Sequence, residues 1–115
     1  MPETRLNPEL AAAAPVFAAL GDETRLYLVK RLARGDALSI TQLSAGSPLT
    51  RQAITKHLHV LAAARIVRSL RQGREQLWEL NPRQLTAARR SLDLIARQWD
   101  AALARLKASI EENPV

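Results

Sequence analysis

"SITQLSAGSPLTRQAITKHLHVL", residues 39–61, carries two helical segments parted by a Gly-Ser-Pro break. Ser39 and Gln42 stand at the N-cap and N3 spacing of a capping box, with Leu38 and Leu43 placed as its hydrophobic staple. The helix they open is short, because Gly46, Ser47 and Pro48 stop it. Thr50 is the natural N-cap of the next helix, which the spacing carries to about residue 64. At roughly 100° per residue, Ile54, Leu58 and Leu61 form one apolar stripe. Gln52, Lys56, His59 and the small Ala63 project from the opposite side, with Thr55 beside them and Arg51 at the edge of the first turn. A short capped helix, a tight turn and a second helix with a polar outer face are the parts of a helix-turn-helix, here over 39–64.

Working outward, Asn7-Pro8 opens a helix as N-cap and N1, within an N-terminal helical segment expected over 1–20. Pro15 is expected to bend or restart it. Asp22 caps a second helix whose apolar positions are Leu26, Leu28, Val29 and Leu32, with Gly35 as its left-handed C′ residue. Beyond residue 64 the period becomes extended. "IVRSLR" (66–71) and "EQLWEL" (75–80) flank Gln72-Gly73-Arg74 and predict a β-hairpin over 66–80. Asn81-Pro82 then starts a helix over 82–112, with Gln84 at N3 for a second capping box and Leu80 and Leu85 as its staple. The predicted fold is mainly α with a small two-stranded antiparallel β-hairpin, one domain over 1–115.

Charge and composition narrow the function. The formal net charge is +6, and no acid lies between Asp36 and Glu75, where Arg51, Lys56, Arg65, Arg68, Arg71 and Arg74 all fall. Cations without counter-charges favour a polyanion. Arg51 suits guanine O6 and N7, Gln52 suits adenine N6 and N7, and Thr50 or Thr55 suits a thymine methyl or a phosphate. Arg68, Arg71 and Arg74 surround the Gly73 tip, as a wing laid along phosphates or a minor groove requires. His57 flanks the apolar stripe and is read as a packing or phosphate-facing histidine, His59 as part of the polar face. Double-stranded DNA is therefore the expected partner; an acidic protein docking on the same basic surface is the alternative.

Other classes are disfavoured. With no cysteine there are no disulfides or thiolate metal sites. His57 and His59 diverge by roughly 200° around a helix and cannot chelate one ion together. No paired acids, activated nucleophile or Gly-rich phosphate loop stands at workable spacing, so neither an enzyme nor a cofactor is expected. No basic n-region opens the chain and no apolar run nears the roughly 20 residues of a membrane span, so a cytoplasmic location is expected.

The last helix raises a separate question of burial. It would reach roughly 45 Å at 1.5 Å per residue, and Leu85, Leu92, Ile95, Trp99, Leu103, Leu106 and Ile110 fall within roughly 80° of its surface. One small domain offers too little surface to cover all of that stripe, and a helix folded back across its own core is the alternative. The expectation is a homodimer through this helix, joined by the Ala-rich N-terminal one, with two recognition helices about one DNA turn (roughly 34 Å) apart.

"ALGDETRLYLVKRLARG", "LSITQLSAGSPLTRQAITKHLHVLAAARIV" and "RQGREQLWELNP" resemble successive blocks of ArsR/SmtB-family winged helix-turn-helix repressors, over about residues 14–107. The resemblance is nearest to the metal-independent branch encoded beside a START-like (SRPBCC) protein. It implies a dimeric repressor of its own operon, released from DNA by a small-molecule inducer whose identity the sequence leaves open. By position it places Thr50, Arg51, Gln52, Thr55, Lys56 and His57 on the recognition helix, and Arg71 and Arg74 on the wing. Many members sense metal through a Cys-containing motif in the third helix or through Asp, His and Glu on the last. Here "SITQLSAG" offers no ligand and residues 82–112 contain no histidine. Ala64-Arg65 also stands where an Ala-Gly helix stop is common in the family.

Overall fold

The computed structural model describes residues 7–112. Its elements are α1 (Pro8–Leu20), α2 (Glu23–Leu32), α3 (Ile40–Ser44), α4 (Arg51–Ala63), β1 (Val67–Gln72), β2 (Glu75–Leu80) and α5 (Pro82–Glu112). The first six residues of the N-terminal segment expected over 1–20 lie outside the described residues, as do the last three of the chain.

Caps set the helix starts. Asn7 Oδ1 accepts from the backbone N–H groups of Glu9 (2.7 Å) and Leu10 (3.3 Å). Asp22 Oδ2 accepts from Arg25 N at 3.0 Å, and Thr50 Oγ1 from Ala53 N at 3.0 Å. Both halves of the Ser39–Gln42 box form, at 3.1 and 2.9 Å. Each cap satisfies amide donors that the first helical turn leaves orphaned.

Three local expectations need correction. α1 runs through Pro15 as one helix: the proline lies on the exposed side while Ala13, Val16 and Ala19 anchor both halves on the core. Leu26 is 52% exposed, so the inner face of α2 consists of Leu28 and Leu32, with Val29 partly buried. The Asn81–Gln84 capping box does not form. Asn81 N already donates to the Ile66 carbonyl (2.9 Å), so the Gln84 side chain turns away and donates to the Ala64 carbonyl at 2.7 Å. Asn81 still serves the start of α5, its Oδ1 accepting from Arg83 N at 3.2 Å.

The core gathers Val16 and Ala19 of α1, Leu28 and Leu32 of α2, Leu43 of α3, Ile54, Leu58 and Leu61 of α4, and Trp78 of β2. Leu28, Leu43, Ile54, Leu58, Leu61 and Ile66 are wholly enclosed. β1 and β2 pair antiparallel from Val67↔Leu80 to Gln72↔Glu75, which leaves a two-residue turn of Gly73 and Arg74. Gly73 has φ +64° and no other residue of the turn has positive φ, the II′ pattern that suits strand twist. One further contact has no counterpart in the periodicity. Leu38 bridges β2, exchanging backbone hydrogen bonds with Trp78 at 2.9 and 2.8 Å, and so ties the entry of α3 to the hairpin.

The exit of α4 departs from the family's glycine stop. Arg65 holds φ +63°, the only positive φ outside glycine among the described residues. Around it Ile66 N donates to the Leu61 carbonyl (2.9 Å) and Arg65 N to the Ala62 carbonyl (2.9 Å), the paired bonds of a Schellman motif. The left-handed region costs a side chain on the order of 1–2 kcal/mol, and the Arg65 side chain is exposed with no partner among the described residues. Arg65→Gly is therefore expected to raise stability by about 0.5–1 kcal/mol, after the entropy that glycine adds to the unfolded chain. Denaturant unfolding checks this, and a loss of stability would mean that the turn is not left-handed in solution.

α5 leaves the body early. Leu85 packs on the protomer's own core and Ala88 is buried, but from Leu92 to Glu112 every residue is exposed. This corrects Leu85, which belongs mainly to its own subunit because it lies within the first turn above β2. The radius of gyration is 19.1 Å and the extents are 67 × 40 × 21 Å. A compact domain of this length has a radius of about 13 Å, so the outer part of α5 projects away from the body.

Candidate nucleic-acid interface

α4 and the hairpin tip bring four cations to the surface: Arg51, Lys56, Arg71 and Arg74 are all exposed. Gln52 lies exposed beside Arg51 in the first turn of α4. Arg71 and Arg74 have no ion-pair partner among the described residues. The polar row expected on the outer side of α4 is thus present, opposite the buried Ile54, Leu58 and Leu61.

Several of the expected DNA-facing groups are instead satisfied within the protomer. Thr50 Oγ1 is the helix cap, and Thr55 Oγ1 donates back to the Arg51 carbonyl at 2.8 Å, which leaves Thr55 half-buried. Arg68 faces Glu79 directly across the hairpin, and Arg68 Nε donates to Glu79 Oε2 at 2.8 Å. Its charge is neutralised there, so the wing's free cations are at the tip. The His59 ring, exposed on α4, lies against Trp78 with centroids 6.1 Å apart and planes tilted by 52°. It braces the helix against the hairpin on the side of the polar row.

His57 is drawn away from that row. Its Nδ1 lies 3.3 Å from Arg25 Nη1 and 3.8 Å from Asp22 Oδ2, and the side chain is three-quarters covered. Arg25 Nε also donates to the Ala19 carbonyl at the end of α1. The Asp22 carboxyl is held below its ordinary value, first by the Arg25 backbone N–H, with the Arg25 guanidinium adding to it against some desolvation. This cluster joins α1, α2 and α4, so His57 orients the helix from behind. Sequence distance conceals it, since His57 and Arg25 are 32 residues apart.

Thr41 is equally unmarked in the sequence. It stands on the exposed side of α3, and its Oγ1 accepts a hydrogen bond from Arg51 Nη1. α3 is in turn held by its capping box, by buried Leu43, and by Arg31 Nη2 donating to the Gln42 carbonyl at 3.3 Å. Nothing in the periodicity singles out a threonine ten residues before an arginine as its partner. Among the described residues, no three His, Asp or Glu side chains gather where they could hold a metal ion. No helix there is long and apolar enough to cross a membrane.

A short α3, a tight turn, α4 with a polar outer row, and a Gly-tipped hairpin with basic ends define a winged helix-turn-helix DNA-binding protein. Comparison with known proteins agrees. Residues 20–69 match the model of a helix-turn-helix domain family. The chain is 40% identical over 87 residues to the HTH-type transcriptional regulator Rv2034 of Mycobacterium tuberculosis, covering 76% of this chain and 78% of that protein. It superposes on an ArsR-like transcriptional regulator from Rhodococcus sp. RHA1 with a TM-score of 0.71 at 40% identity, covering 85% of this chain and 92% of that one. The homodimeric winged helix-turn-helix domain of Mb0332 from Mycobacterium bovis shares the fold at 21% identity, with a TM-score of 0.60 over 84% of this chain and 85% of that one. This chain belongs to the ArsR family of HTH-type transcriptional regulators. Its relatives and fold are those of DNA-binding regulators, not of enzymes.

Proposed function

We propose that this chain is an autoregulated repressor that binds an inverted-repeat operator as a cytoplasmic homodimer and does not sense metal. In this reading α4 enters the major groove, with Arg51 and Gln52 at base edges and Lys56 beside them, while Arg71 and Arg74 hold phosphates from the hairpin tip. The observation that carries it is the pairing of an exposed polar row on α4 with unneutralised cations on the adjacent wing. A salt titration tests it: operator affinity should fall with a slope set by the number of phosphates neutralised, and random duplex should bind more weakly at every salt concentration. Equal affinity for both duplexes would leave only an electrostatic surface, as an acidic protein partner also requires.

The dimer rests on α5. Leu92, Ile95, Trp99, Leu103, Leu106 and Ile110 are each about half exposed or more in the protomer, on one side of a helix that leaves the body. A second copy is the natural cover, since it also spaces two α4 helices for a two-fold site. A groove between α1 and α5 is lined by Ala12, Ala13, Val16, Ala87, Ala88 and Leu94 together with the polar Glu9, Gln84, Arg90 and Ser91.

Metal independence follows from donor chemistry. The chain lacks cysteine, and carboxylates such as Asp93 and Asp100 without imidazole are poor ligands for zinc. Chelators and added zinc are expected to leave operator affinity unchanged in a fluorescence titration. Release of DNA by stoichiometric zinc would contradict this and point to the α5 carboxylates.

A further inference from the structure

Among the cations on α4 and the hairpin tip, Arg51 alone is tethered by a side chain: within the described residues Lys56, Arg71 and Arg74 have no such partner. The tether is Thr41 on α3. An untethered arginine loses much side-chain freedom when it docks on a base. A guanidinium with one nitrogen already pinned loses less, and its plane is set before DNA arrives. The anchor is itself rigid. Thr41 is β-branched, so its hydroxyl has few orientations. Its helix is fixed by the Ser39–Gln42 box, by Leu43 in the core and by Arg31 on the Gln42 carbonyl.

The chemistry left free at Arg51 also fits. Guanidinium carries five N–H donors, and the bond from Nη1 to Thr41 leaves others in the same plane to meet two acceptors on one guanine edge. We propose that Thr41 is a positioning residue that fixes the base preference of Arg51 without touching a base itself; this rests on the reading of α4 as the groove helix. The hydroxyl is the operative group, because it accepts the bond. Thr41 is exposed, so its loss does not open the core.

The test uses the full-length protein and a pool of duplexes with a randomised centre, from which the wild type selects its site. Affinities for the selected duplex, for its single-base variants and for random duplex are then measured at several salt concentrations, with thermal melts as fold controls. Thr41→Val, which keeps the shape and removes the acceptor, should reduce discrimination about three- to tenfold at one guanine per half-site. The salt slope and random-duplex binding should stay unchanged. Thr41→Ser should restore discrimination, and Thr41→Val should add nothing in an Arg51→Ala background. A uniform loss with a shallower salt slope would make Thr41 a phosphate contact and overturn the proposal, as would additive effects or no effect. If Arg51→Ala itself left every base preference intact, the groove-helix reading would fail first, and that outcome is visible separately.

Discussion

Leu103→Glu is expected to leave the protein monomeric at micromolar concentration and to lower operator affinity by about two to four orders of magnitude. Leu103 is 51% exposed on the free protomer, in the middle of the apolar row that runs from Leu92 to Ile110. A carboxylate there stays hydrated in the monomer but must be desolvated, unpaired, when a second copy covers the row. That costs on the order of several kcal/mol, more than the packing of one leucine contributes. The core from α1 to β2 does not include Leu103, so circular dichroism should show the helix-turn-helix intact. The affinity falls because two half-sites bound by one dimer become two weak independent sites. A variant that sediments as a dimer and binds normally would mean that the outer part of α5 has another role.

The second large effect separates base readers from phosphate holders. Arg51→Ala or Gln52→Ala should cost about 1–3 kcal/mol on the operator and relax preference at one position per half-site. Arg71→Ala or Arg74→Ala should weaken every sequence alike and lower the salt slope by about one for each phosphate that is no longer neutralised. Arg68→Ala should do far less to the slope, since Arg68 is already paired with Glu79 at 2.8 Å. Equal losses on operator and random duplex for Arg51→Ala would demote that residue to a phosphate holder. An unchanged slope for Arg71→Ala and Arg74→Ala would remove the hairpin from the interface.

What the sequence made legible was local. Asn7, Asp22, Ser39 with Gln42, and Thr50 are caps because side chain and amide lie within three residues of each other, and all four form. Gly73 similarly marks its own turn. Where a second element competes for the same group, the local reading fails. Gln84 is correctly spaced for a box with Asn81, yet the Ile66 carbonyl takes the amide first. Arg68 lies in an acid-free stretch of sequence, but the hairpin register brings Glu79 opposite it. Leu26 has an apolar spacing, but nothing in its own helix fixes which apolar face turns inward. Net charge along the chain therefore overstates the wing, whose free cations are those near its tip.

A protein that reads DNA sequence as a two-fold dimer through α4 must select a two-fold sequence. The most direct measurement is selection of genomic fragments by the purified full-length protein at physiological salt, followed by sequencing. The expected result is an enriched inverted repeat with half-site centres about 10–10.5 base pairs apart, or a multiple of that spacing, including a site near the protein's own promoter. Recovery of fragments with no shared sequence, bound no more tightly than random duplex, would contradict it.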